Sequence, residues 1–183
     1  MELYVGPHMS KEFWSFGHDL FLDTPDTFSA GFVAGDVFDP SMIAPHAPFY
    51  TPPLTAPPEL RSLTSLTPLQ GHISAMYVGA LFHLFDEAKQ LQIARQAASL
   101  LSPLPGSIIF GSHITMLVDG VRKNFLGDEA FCYSPESWKE LWNGFVFEKG
   151  TVNVETGVKL INWGPGRGID NKLIWISWSV TRV

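Results

Sequence analysis

Apolar and polar positions follow two different periods along this chain, and the clearest passage runs from Ile73 to Phe110. Ile73 to Val78 is an unbroken apolar run, which predicts a buried strand. From Asp86 to Leu101 the apolar residues fall at helical spacing: Ala88, Leu91, Ala94 (or Arg95), Ala98 and Leu101 form one face. Asp86 and Glu87 occupy the first turn, where they complement the helix dipole, and Pro103 with Pro105-Gly106 ends the helix. Ser107 to Phe110, bounded by Gly106 and Gly111, reads as the next strand, followed by a loop. Strand, helix, strand is one βαβ unit of a parallel sheet, an architecture that collects ligands outside the strand C-terminal ends.

The flanking segments are shorter. Leu3-Tyr4-Val5 before Gly6-Pro7 predicts a brief strand. Ser10 is then placed to cap a helix with Phe13, Trp14 and Phe16 facing inward. Phe28 to Val33 reads as a strand or strand approach, closed by Gly35-Asp36. Asp39 to Pro68 is rich in proline, which excludes a central strand or a helix interior. Pro40 to Pro58 is therefore expected as an irregular surface excursion, with a short helix near Pro58 to Leu66. Two readings stay open for it: a tolerated insertion or misread exon, or a lid over a site. Ser134-Pro135 is a strong helix start, with Trp138, Leu141 and Trp142 on the apolar face. Thr151 to Ile161 and Leu173 to Val183 alternate as strands around Gly164–Gly168 and predict an antiparallel hairpin. No repeat or second domain is visible, so residues 1–183 are expected to form a single domain with a Pro-rich irregular insertion at about 40–68.

Composition narrows the function. Hydrophobic residues make up 45% and charged residues 16%, which is globular and unlike a disordered chain. A net charge of −6 argues against a nucleic-acid partner. The lone Cys132 rules out an internal disulfide and is expected to pack as a small apolar residue. The N-terminus lacks a signal-peptide pattern, and no window reaches the ~20 apolar residues that span a bilayer. No membrane association and a cytoplasmic location are the expectation.

Candidate chemistry is sparse. Gly164-Pro165-Gly166-Arg167-Gly168 resembles a phosphate loop only in composition, because a strand rather than a helix follows it. His8, His18, His46, His72, His83 and His113 are isolated in sequence, so no metal site is expected. His83 and His113 are the two to watch, since both fall at the C-terminal ends of predicted parallel strands. Each is either a satisfied structural histidine or a catalytic group. Ser107 and Ser112 lack the turn of a serine hydrolase. Asp36, after AGFVAG, is an exposed turn aspartate or a cap.

Three longer words, GALFHLFDEAKQ, PGSIIFGS and YSPESWKELW, closely resemble the fungal class I S-adenosylmethionine (SAM) methyltransferases of meroterpenoid and polyketide pathways. The likeness runs from Leu3 to Val183. It implies an α/β fold: a Rossmann-like class I methyltransferase sheet, here lacking its first strand and the Gly-rich SAM turn, and ending in an antiparallel hairpin. In the family an acidic residue followed by an apolar one binds adenine, which places Asp36 and Val37 there. His8 stands where the family has a ribose-binding aspartate; a histidine can donate to a hydroxyl but cannot accept two. The loop from Gly79 and Ala80 to His83 would line the sulfonium and substrate end, with His83 or His113 as candidate bases.

The resemblance thus implies SAM as cofactor, with weakened or lost binding, a small terpenoid or polyketide substrate, and a possible homodimer. Two alternatives accompany it: an inactive pseudo-methyltransferase, and a SAM-independent cyclase or isomerase on the same scaffold. Without the first strand, its neighbours would pair directly, borrow a strand from a partner, or leave an unstable edge.

Overall fold

The computed structural model describes residues 11–24, 27, 31–124, 127–162 and 172–183. The expected strand Leu3–Val5, His8, the Ser10 cap, residues 28–30 and the loop 163–171 lie outside them.

Helix α1 spans Lys11–Phe21, β1 Ala75–Gly79, α2 Glu87–Leu100, β2 Ile108–Thr115, β3 Gly120–Lys123, β4 Glu129–Cys132, α3 Pro135–Trp142, β5 Val152–Asn162 and β6 Lys172–Arg182. The βαβ unit is present: β1 and β2 are parallel, in register from Ala75↔Ile108 to Gly79↔Ser112. Asp86 caps α2 by accepting from the Lys89 amide at 2.8 Å, and Ser134 caps α3 by accepting from the Ser137 amide at 3.2 Å. Each such cap stabilises its helix by about 1 kcal/mol.

The terminal hairpin forms, and its second strand inserts between its first strand and the parallel pair, giving the order β1-β2-β6-β5. The sequence accounts for that choice. In β6, Leu173, Ile176, Trp178 and Val180 are buried, as suits an inner strand, whereas β5 exposes Asn153, Glu155 and Lys159, as suits an edge. The α2 and α3 helices cover the same sheet face. Ile93, Ala94 and Ala97 of α2 and Trp138, Leu141 and Trp142 of α3 share a core with Met76, Ile109, Ile176, Trp178 and Val180. Across the sheet, Tyr77 is 61% exposed and Phe110 40%.

Several expectations need correction. The first strand of the unit is not a fully buried strand: β1 is the edge of the four-stranded sheet among the described residues, and only Met76 along it is buried. The β2 strand does not stop at Gly111 but runs on to Thr115. Gly111 sits inside it because a Cβ there would collide with the Val78 carbonyl of β1. In α2, Ala88 is exposed and the buried face is centred on Gln90, Ile93, Ala94, Ala97 and Ala98. The rotation follows from Gln90, a polar residue whose amide finds two acceptors inside. Phe16 of α1 points outward, 62% exposed, and Gly31–Val33 form no strand. The two-stranded sheet β3–β4 was not anticipated, since four-residue strands carry too little alternation to register.

The Pro-rich segment carries 3₁₀ turns at Leu60–Ser62 and Thr67–Leu69. Its Phe49–Tyr50 part packs on the last strand. Arg182 pairs through its backbone with Ser107 at the start of β2, so it marks the end of the sheet opposite the strand C-termini. Its guanidinium donates to the Phe49 carbonyl at 2.9 Å and lies over the rings of Tyr50 and Phe147, at 4.8 and 5.0 Å. The Tyr50 hydroxyl accepts from the Glu148 amide at 2.8 Å. That part of the excursion is pinned at the far end from the edge where ligands collect.

Candidate active site

The chain leaves β1 through Gly79 and then Ala80, which adopts a left-handed conformation at φ 53°. A residue with a Cβ resists this by about 1–2 kcal/mol, and here the Ala80 amide is held by a 2.7 Å bond to the Ser112 carbonyl. Next comes a 3₁₀ turn, Phe82–Leu84, with Phe82 and His83 buried. The Tyr77 hydroxyl lies over Gly79, where a Cβ would displace it.

His83 on this turn meets His113 from β2. Their ring centres are 6.5 Å apart and their planes agree within 4°. Around them stand Trp175, 6.2 Å from His83, and Trp138, 4.7 Å from His113. The Trp178 indole donates to His113 Nδ1 at 3.0 Å, so the neutral ring carries its proton on Nε2. Burial pushes the His113 pKa down to about 3, with the nearby His83 adding to the effect. His83 is lowered to about 4, by burial first and by the charge of Arg122 second. Both rings are neutral at pH 7. His83 Nδ1 is buried with no hydrogen-bond partner.

Two further elements frame the turn. The Gln90 amide donates to the carbonyls of Phe85 at 2.9 Å and Phe131 at 2.6 Å, and the Phe131 amide donates to Phe85 at 3.0 Å. Those bonds tie the turn to β4. On the other side lies the Asp36 turn. Asp36 is exposed, and its Oδ1 accepts from the Phe38 amide at 2.9 Å. Val37 is buried, and its carbonyl accepts from Gln96 at 2.6 Å. Phe38 packs edge-on against Phe85, with ring centres 5.0 Å apart. Gly79, Ala80, His83 and His113 therefore come together, and Asp36 and Val37 lie alongside through Phe38. Cys132 is buried, and burial raises its thiol pKa, as befits packing rather than attack.

Trp138, Trp175, Trp178 and Gln90 were not singled out from the sequence as site residues. The Trp-rich last strand was the available signal, but its meaning depends on β6 lying beside β2. Among the described residues no cluster of His, Cys, Asp or Glu could hold a metal ion, and no helix is long and apolar enough to cross a membrane.

Comparison with known proteins finds similar chains among fungal methyltransferases. The chain is 30% identical over 152 residues to O-methyltransferase phiE of a Fungal sp. strain, covering 82% of this chain and 43% of that protein. It is 28% identical over 166 residues to methyltransferase adrK of Penicillium rubens, covering 86% and 48%. Against Asnovolin E/Chermesin D methyltransferase nvfJ of Aspergillus novofumigatus it is 34% identical over 96 residues, covering 52% and 32%. Over most of its length the chain is thus similar to proteins named as fungal methyltransferases. It spans about half the length, or less, of these curated relatives. No family model matches it. Among solved structures, a chain titled "DhpI-SAH complex structure" shares 13% identity at a TM-score of 0.33, covering 60% of this chain and 46% of its own.

Proposed function

We propose that this chain is a SAM-dependent methyltransferase-like protein that acts on a small terpenoid or polyketide. The observation that carries the reading is the sequence kinship with phiE and adrK across more than four-fifths of the chain. Residues at and beside the strand C-terminal ends fit the cofactor in their donor and acceptor types. Asp36 is exposed and spends one oxygen on its own turn, which leaves an acceptor for an adenine amine. Gly79 brings bare backbone to the edge beside Ala80. When bound, SAM supplies a methyl group on an electrophilic sulfonium.

What the chain contributes beyond binding follows from the two histidines. Imidazoles with pKa values near 4 and 3 are weak bases, so they do not strip a proton from an ordinary alcohol. They can orient an acceptor by hydrogen bonding in an aromatic, water-poor surround. Rate then comes mainly from proximity and alignment, which suits an acceptor that is acidic on its own account.

Isothermal titration with SAM and with S-adenosylhomocysteine (SAH), beside an Asp36→Ala variant, tests the reading. Micromolar binding that weakens at least tenfold in the variant supports it. A folded, monodisperse wild-type protein that binds neither compound refutes it in favour of the pseudo-methyltransferase alternative.

A further inference from the structure

Gln90 is 1% exposed in the first turns of α2, a position where a helix facing a core ordinarily places an aliphatic residue. A buried carboxamide is costly unless its groups are bonded. Its two N–H groups go to different elements: one to Phe85, which closes the His83 turn, and one to Phe131 on β4. The backbone bond from Phe131 to Phe85 completes a three-way junction. A carboxamide nitrogen can serve two carbonyl acceptors at once, whereas glutamate at neutral pH or leucine can serve neither.

We propose that Gln90 is the positioning residue of this site: by joining the Phe85 and Phe131 carbonyls it fixes the turn that presents His83 beside His113. The part that turn plays in methyl transfer rests on the function proposed above; its dependence on Gln90 does not. The charged and titratable groups around the turn are Arg122 on β3, His113 on β2, Cys132 on β4, and Glu87 and Lys89 on α2. None of them is removed by changing Gln90. His113 keeps its own bond to Trp178, so its ring should respond less than that of His83.

The experiment is a ¹⁵N NMR titration of the imidazoles in the cofactor-free protein, comparing wild type with the uncharged variants Gln90→Leu and Gln90→Met. With the turn released, the His83 midpoint should rise from about 4 by at least one pH unit towards 6.5, and by clearly more than any change at His113, whose shift owes only its smaller part to His83. A merely structural glutamine would lower the melting temperature and move neither ring, or move both equally. Either result in a folded variant overturns the proposal. Should both variants fail to fold, the wild-type protein still decides it. Both Gln90 side-chain N–H protons should then exchange at least tenfold more slowly than those of an exposed glutamine, and free exchange would refute the junction. Absence of SAM binding would remove the methyltransferase reading and leave these outcomes unaltered.

Discussion

Acid should destabilise this protein well before its carboxylates titrate, and the cause is the His83–His113 pair. Unfolded, each imidazole takes up a proton near pH 6.5; folded, neither does so until about pH 4 and 3. Below pH 6.5 the unfolded chain therefore binds more protons than the native one, and stability falls with pH. The contribution of the neutral pair is fully present above pH 6.5 and is lost as the pH drops towards 4. Each ring costs about 1.4 kcal/mol per pH unit across that window. At pH 5 the loss is about 2 kcal/mol per ring, or about 4 kcal/mol for both, against a typical domain stability of about 5–15 kcal/mol.

Urea denaturation followed by tryptophan fluorescence at pH 7.5, 6.5, 5.5 and 5.0 measures the slope. The control is a His83→Gln/His113→Gln double variant, in which a glutamine oxygen at 113 can still accept from Trp178. The wild type should lose stability about twice as steeply as a one-proton linkage between pH 6.5 and 5, and the double variant should be nearly flat there. Equal slopes would show that the pair is solvated or charged in the native state, and the account of the site as two buried neutral rings would fail.

Three other substitutions probe separate parts of the fold. Arg182→Met removes the hydrogen bond to Phe49 and the contacts with Tyr50 and Phe147. It should cost about 2 kcal/mol and hasten protease cleavage within residues 43–58, with SAH affinity unchanged. Trp178→Phe leaves His113 Nδ1 buried without its donor, at a cost of about 1–3 kcal/mol in urea denaturation. The same variant should shift the His113 tautomer seen by ¹⁵N NMR. Gly111→Ala drives a methyl group into the Val78 carbonyl and should separate β1 from β2; a melting temperature within a degree of wild type would contradict the close approach.

Much of the architecture was legible where a segment's own periodicity decides its state. The α2 and α3 helices, the parallel unit and the closing hairpin all come from local pattern, caps and stops. What local pattern misses is rotation and neighbourhood. Ala88 looked as inward as Ala94 and Ala98, yet it is exposed and the buried face takes in Gln90, for whose amide two carbonyls from other elements wait. His113 looked like a strand-end residue because Gly111 resembles a stop; only the tight β1–β2 approach makes that glycine an interior one. For the site, His83 and His113 were visible as residues, but their meeting depends on β2 and the Phe82–Leu84 turn lying side by side. The Trp178 bond depends in turn on β6 joining β2.

Unmet polar atoms are buried at both ends of the sheet, and the one on His83 bears on function. At the start of β2, Arg182 ties together the last strand, the Pro-rich segment and the Phe147 ring through strong, well-directed contacts. Arg182 Nη1 is nevertheless buried without a partner among the described residues, and so are His83 Nδ1 and Trp138 Nε1 near the strand C-terminal ends. Each unmet group costs about 1–3 kcal/mol, so around His83 the chain maintains a disadvantage that the packing of Phe82, Trp138 and Trp142 must offset. A fold selected for stability alone would exchange His83 for an aliphatic residue and gain. Retaining an imidazole with a free nitrogen beside the Gly79–Ala80 exit is what a site needs and a core does not. His83→Leu should therefore raise the melting temperature while it weakens whatever binds at that edge. A variant that loses stability as well would mark the ring as structural.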